Sequence, residues 1–185
     1  LMVIKTSARD VTRLERDWRS GFRRRHPSPL RTIARDQGAA SPKVAAIADE
    51  TLSPGEVLAL HELGDCYISL ARAEGWGLST FDAARLGRPV VATGWGGHAT
   101  YLDAESTLPG PVAFDMVPLR EAPWLGSYTG DQLWAEPSIA DAAEKLRTVF
   151  ANRQSATDAA RIRAERLRKD YSAETIAGLL LGALA

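Results

Sequence analysis

The sequence predicts an α/β protein in which a parallel, doubly wound sheet is followed by a helical tail. Three observations predict it. Short β-branched apolar runs alternate with stretches of helical period over the first 150 residues, and strands that alternate with helices join by crossovers into parallel sheets. Glycine and proline punctuate the joints, as in Gly87-Arg88-Pro89. From Ile139 onward the helical period continues without a further strand signal.

Taken in order, Leu1–Thr6, Lys43–Ala48, Cys66–Leu70, Pro89–Thr93 and Pro111–Val117 read as buried strands. Helical patterns lie between and after them at Val11–Arg24, Pro54–Leu63, Leu78–Leu86 and Ile139–Phe150. Ser53-Pro54 puts a capping hydroxyl before a proline at the first helical position, with Glu56 three residues after the serine. Residues 103–137 hold much of the proline and glycine and predict mostly loop around one strand. Arg153–Lys169 is dense in charge and predicts a solvated helix. Tyr171–Ala185 predicts a last apolar helix that needs a surface to pack on. On this reading residues 1–150 form one Rossmann-like domain and residues 151–185 are C-terminal helices.

Composition narrows the function classes. The chain has 185 residues, 45% of them hydrophobic, which suits one globular domain with a real core. Its 23 basic and 23 acidic residues balance, so net charge makes no case for nucleic acid or membrane as the main partner. Arg23-Arg24-Arg25-His26, with Arg13, Arg16 and Arg19, forms a basic stretch that Glu15 and Asp17 interrupt. Cations near a helix C-terminus are favourable by themselves, so we read a solvated helix end there, not a nucleic-acid face. Cys66 is the single cysteine, so no internal disulfide is possible, and a cytoplasmic setting is the simplest expectation. No apolar run is long enough to span a bilayer, and no signal peptide is evident. The opening residues resemble the inside of a domain, so the chain is expected to belong to a longer polypeptide. No Cys/His metal spacing, Walker loop or nucleophile elbow is present.

The chemistry concentrates between Ser69 and Thr93. That stretch runs strand, glycine-containing loop, helix, glycine, proline, strand. Such a loop lies at the carboxyl end of a buried strand, where open α/β sheets place ligands. Gly75 and Gly77 allow close backbone approach, and the helix start at Leu78 and Ser79 offers unpaired N–H groups and a partial positive charge. A phosphate is the natural guest. Glu74 lies before the loop and Asp82 about one turn inside the helix. Carboxylates bind phosphate poorly but accept well from sugar hydroxyls, so a diphosphate flanked by two sugars suits both features.

Glu74-Gly75-Trp76-Gly77-Leu78 followed by Asp82 resembles the E-x7-E motif of retaining GT-B glycosyltransferases, family 4-like, also called group 1 glycosyltransferases. Gly87-Arg88-Pro89-Val90-Val91-Ala92-Thr93 matches that motif's usual continuation. Trp134-Ala135-Glu136-Pro137 resembles a segment of one branch, and Val3-Ile4-Lys5-Thr6 its second strand. The likeness covers residues 1 to about 150 and is densest over 66–103. It implies a fold, the C-terminal nucleotide-sugar-binding half of a GT-B enzyme, and an activity, retaining transfer of a sugar from a nucleoside-diphosphate sugar. It implies no cofactor and no metal in this domain, and an N-terminal acceptor domain elsewhere in the same enzyme. By position, Asp82 would hold the ribose, Glu74 would stand near the donor sugar as the catalytic residue, and Gly75, Trp76, Gly77, Leu78 and Ser79 would wrap the diphosphate. Arg72 and Lys5 are candidate phosphate contacts, and His98 a candidate sugar contact. Asp82 is one methylene shorter than the family's usual glutamate, and His98 stands where asparagine is more usual. Alternative functions are a nucleotide-sugar binding module without catalysis and a nucleic-acid-binding α/β domain. Matched strand by strand, the chain lacks the family's central first strand, so a gap is expected between Leu1–Thr6 and Cys66–Leu70.

Overall fold

The computed structural model describes residues 2–5, 44–47, 52–102, 108–119 and 131–184. The predicted helix Val11–Arg24 and the basic stretch through His26 lie outside the described residues. The chain divides into two compact units, Leu1–Ser53 and Pro54–Ala185. In the first, β1 (Met2–Lys5) pairs in parallel with β2 (Val44–Ile47), with Met2 opposite Val44 and Lys5 opposite Ile47.

In the second unit, β3 (Tyr67–Ser69) pairs in parallel with β4 (Val90–Ala92). Just past β4, Thr93 forms a parallel bridge with Val112. There the Val112 amide donates to the Ala92 carbonyl at 2.8 Å and the Gly94 amide to the Val112 carbonyl at 2.9 Å. Helix α1 (Pro54–Leu63) precedes β3, and α2 (Leu78–Arg85) connects β3 to β4. A pair of antiparallel strands follows, β5 (Phe114–Pro118) and β6 (Leu133–Pro137). The chain then turns helical through α3 (Ile139–Ala151), α4 (Arg153–Asp170) and α5 (Ala173–Ala183).

Local chemistry sets the joints. Helix α2 ends as the glycine predicted: the Arg88 amide reaches the Ala83 carbonyl and the Gly87 amide the Ala84 carbonyl, with Gly87 at φ 74°. Ser138 caps α3 by accepting from the Asp141 amide, and Ser172 caps α5 by accepting from the Thr175 amide.

Helices cover both faces of β4. Its alternation places Val90 and Ala92 in one core cluster with Ala83 and Ala84 of α2, Tyr101, and Leu167 of α4. Val91 sits in the other, with Val112, Ala142 and Val149 of α3, and Ala156 of α4. A strand covered on both faces reads as continuously apolar, as Pro89–Thr93 does. Helix α4 serves both clusters through one stripe, Ala156, Ala160, Arg163, Ala164 and Leu167, all buried. It is therefore not the fully solvated helix that its charge density predicted. Arg163, Arg166 and Arg168 reach from it to the main-chain carbonyls of Arg88, Tyr101 and Arg85.

Two further differences from the expected fold have physical causes. Residues 133–137 form a strand where loop was expected, and it runs antiparallel to β5. The signal was a five-residue alternation that buries Ala135 and leaves Trp134 and Glu136 half-buried beside it. The last helix has no buried residue, and Leu179, Leu180 and Leu181 are 62–69% exposed. No helix among the described residues is long and apolar enough to cross a membrane.

Leu167→Ala should lower unfolding free energy by about 2–5 kcal/mol, the usual range for a fully buried leucine. Leu179→Ala should change it by no more than about 0.5 kcal/mol. Denaturant titration of both variants checks this, and equal effects would mean that α4 does not anchor the core.

Candidate functional site

The loop after β3 and the loop after β4 press together at the carboxyl ends of the two strands. Gly97 lies so close to the carbonyl of Gly75 that a Cβ on Gly97 would collide with it. A Cβ on Gly96, which has φ 109°, would stand 2.8 Å from the Glu74 carbonyl oxygen. The Gly97 amide donates to that same oxygen at 3.0 Å. A short 3-10 turn, Gly97–Thr100, then carries His98 and leads into Tyr101.

These two residues hold the glycine loop from beneath. The Tyr101 hydroxyl is shared between the carbonyls of Trp76, at 2.9 Å, and Gly77, at 3.0 Å. Its ring packs with those of Trp76, Phe81 and Tyr171, at centroid distances of 5.0, 5.2 and 6.5 Å. Burial raises the Tyr101 pKa, and the nearby Glu74 carboxylate raises it further, with Asp82 contributing less. Both acids of the motif thus lie within electrostatic reach of one hydroxyl. His98 is 1% exposed, and its Nε2–H donates to the Thr93 carbonyl at 2.6 Å.

Gly77 begins α2 from the left-handed region, at φ 76°. A Cβ there would meet the Tyr101 hydroxyl at 3.2 Å and the Glu74 and His98 side chains at 3.3 Å. The Gly77 amide donates to Glu74 Oε1 at 3.2 Å. Phe81 is the first residue of α2 to bond back, to the Gly77 carbonyl. The amides of Leu78, Ser79 and Thr80 have no acceptor among the described residues, and Leu78 and Ser79 are exposed. Helix α2 therefore presents an open, electropositive end beside a loop of bare backbone.

The remaining candidates divide. Trp76 turns its ring into the aromatic cluster, so only its backbone is left to face a ligand. Asp82 is half-buried in the second turn of α2. It also opposes the lowering of the His61 pKa, which burial causes. Arg72 is held by Glu136 in a two-point pair, 2.6 Å from Nε to Oε2 and 3.0 Å from Nη2 to Oε1. It also lies over the Trp134 ring, 4.3 Å from the centroid. Its main-chain carbonyl accepts from the Ala135 amide. Lys5 closes β1 in the first unit, and its side chain is outside the described residues. Cys66 is raised to about 11, chiefly by burial and next by Asp65. It stays a thiol at neutral pH and is a poor nucleophile. Among the described residues no group of three or more His, Cys, Asp or Glu side chains is placed to hold a metal.

Tyr101 and the clamp of Trp134 and Glu136 were not read as site residues. The clamp had a signal: period-2 alternation puts Trp134 and Glu136 on one face of a strand. Tyr101 had none, because its partners lie 24 and 25 residues away. No family model matches the chain, and no curated protein matches it.

Gly97→Ala should destabilise the protein by about 1–3 kcal/mol, since the backbone it would strike has nowhere to move. Gly75→Ala should be close to neutral, because a Cβ there meets nothing within 4 Å. Thermal unfolding of the two variants tests the contact; a neutral Gly97→Ala would contradict it.

Proposed function

We propose that this chain is the donor-binding half of a retaining glycosyltransferase, a Rossmann-like GT-B domain that takes a nucleoside-diphosphate sugar. The observation that carries the reading is the open start of α2. Three unpaired amides follow a glycine in the left-handed region, with Glu74 on one side of the loop and Asp82 one turn into the helix. A diphosphate suits the amides, and sugar hydroxyls suit the two carboxylates. The likeness of Glu74–Asp82 to the E-x7-E motif supports the same assignment.

In this reading Gly75, Leu78 and Ser79 face the diphosphate through their backbones, while Gly77, its amide held by Glu74 and its carbonyl by Tyr101 and Phe81, sets the helix start. Asp82 accepts from the ribose hydroxyls, and Glu74 stands near the donor sugar. Glu74 already bonds the Gly77 amide, so it also holds the loop in shape. Arg72 is a positioning residue. Its pairing with Glu136 ties the glycine loop to β6, and its charge reaches a phosphate only if that pair opens. His98 is buried against Thr93 and supports the loop without meeting the sugar. The acceptor and the rest of the enzyme's catalytic groups belong to a partner domain. The chain alone binds donor weakly and does not turn over.

Asp82→Ala should weaken nucleoside-diphosphate binding about ten- to a hundredfold, the worth of a hydrogen bond to a charged acceptor. Asp82→Glu should keep or improve it. Calorimetry with uridine and guanosine diphosphates measures both, and unchanged binding in Asp82→Ala would remove the ribose assignment.

A further inference from the structure

A cavity of about 110 Å3 lies past the end of β4, lined among others by Thr93, Gly94, His98, Leu102, Pro111 and Arg163. None of residues 72–82 lines it, so it is not the glycine loop. We infer that it is an anion site of its own, built to hold inorganic phosphate against Arg163, Thr93 and His98.

Arg163 is 4% exposed, and among the described residues no carboxylate pairs with it. One Nη donates to the Arg88 carbonyl at a long 3.4 Å, and Nε has no partner. Arg88 repeats the pattern: Nη1 donates to the Gly64 carbonyl at 3.4 Å, and its buried Nε is unpartnered. Among the described residues both guanidiniums thus meet only carbonyl oxygens, and Arg163 is the one that lines the cavity. A guanidinium does not lose its proton inside a protein, and a buried charge without a counter-charge is costly. Water fills such a space but brings no charge.

The other lining groups select among anions. Thr93 is 1% exposed and its hydroxyl has no partner, so it is free to donate. His98 commits Nε2–H to the Thr93 carbonyl, and its buried Nδ1 has no partner. Phosphate carries both a hydroxyl and bare oxygens near neutral pH, so it donates to that nitrogen or accepts from it, whereas sulfate only accepts. Size agrees: at about 30 Å3 per water the space takes a few waters or one bare oxyanion, and a nucleotide does not fit.

The test is thermal unfolding and calorimetry of the whole chain in phosphate, sulfate and chloride at matched ionic strength. Phosphate should raise the unfolding temperature saturably and more than the other two. Arg163→Met should weaken the phosphate response about tenfold or more, the cost of losing a hydrogen bond from a charged donor. Thr93→Val, nearly isosteric, should weaken it several-fold while the protein stays folded, so the question stays answerable if Arg163→Met fails to fold. A phosphate response that survives Thr93→Val and any folded Arg163→Met, or a sulfate or chloride response of equal size, would overturn the assignment.

Discussion

Backbone meets backbone where Gly97 lies on the carbonyl of Gly75, and no side chain fits between them. Much else in the second unit follows from that contact. It brings the loop after β4 under the loop after β3, so Tyr101, four residues past Gly97, arrives beneath Trp76 and Gly77. One hydroxyl then donates to the Trp76 carbonyl and shares the Gly77 carbonyl with the Phe81 amide. With the loop pinned, Gly77 is held in a conformation that L-residues rarely adopt, and α2 starts with the amides of Leu78, Ser79 and Thr80 unpaired. The open helix end is a consequence of packing below it.

The same economy shows in how the sheet is covered. Val90 and Ala92 face α2 and the end of α4, while Val91 faces α3 and the start of α4. One tail helix closes both sides by presenting alanines, which let it approach closely, and by spending three arginines on main-chain carbonyls. Tyr171, just after α4, adds its ring to the cluster of Trp76, Phe81 and Tyr101. Helix α4 and Tyr171 therefore support the candidate site directly, although the sequence pattern separates them from it.

Much of the architecture was legible because its signals are local. Pro54–Leu63 and Leu78–Arg85 fall where apolar spacing and caps put them, and Gly87 ends its helix as a glycine before proline should. The loop between Glu74 and Asp82 was legible for the same reason, since both acids, both glycines and the helix start lie within nine residues. What escaped depends on contacts far apart in the chain. β6 exists through pairing with β5 across residues that carry no pattern. His98 looked like a loop residue because nothing nearby in sequence announces the Thr93 carbonyl that buries it. Arg163 looked like one charge among many on a solvated helix, and only the fold shows that it is the one turned inward. Arg72 was read as a candidate phosphate contact, yet Glu136, 64 residues on, pairs with it.

Amide hydrogen exchange at the start of α2, in the whole chain with and without uridine or guanosine diphosphate, tests whether that helix start seats the donor. The amides of Leu78, Ser79 and Thr80 are unpaired, so a diphosphate seated on them should slow their exchange while the amides of α3 stay unchanged. If saturating diphosphate left those three amides exchanging as before, the helix start would not be the donor site and the glycosyltransferase reading would fall.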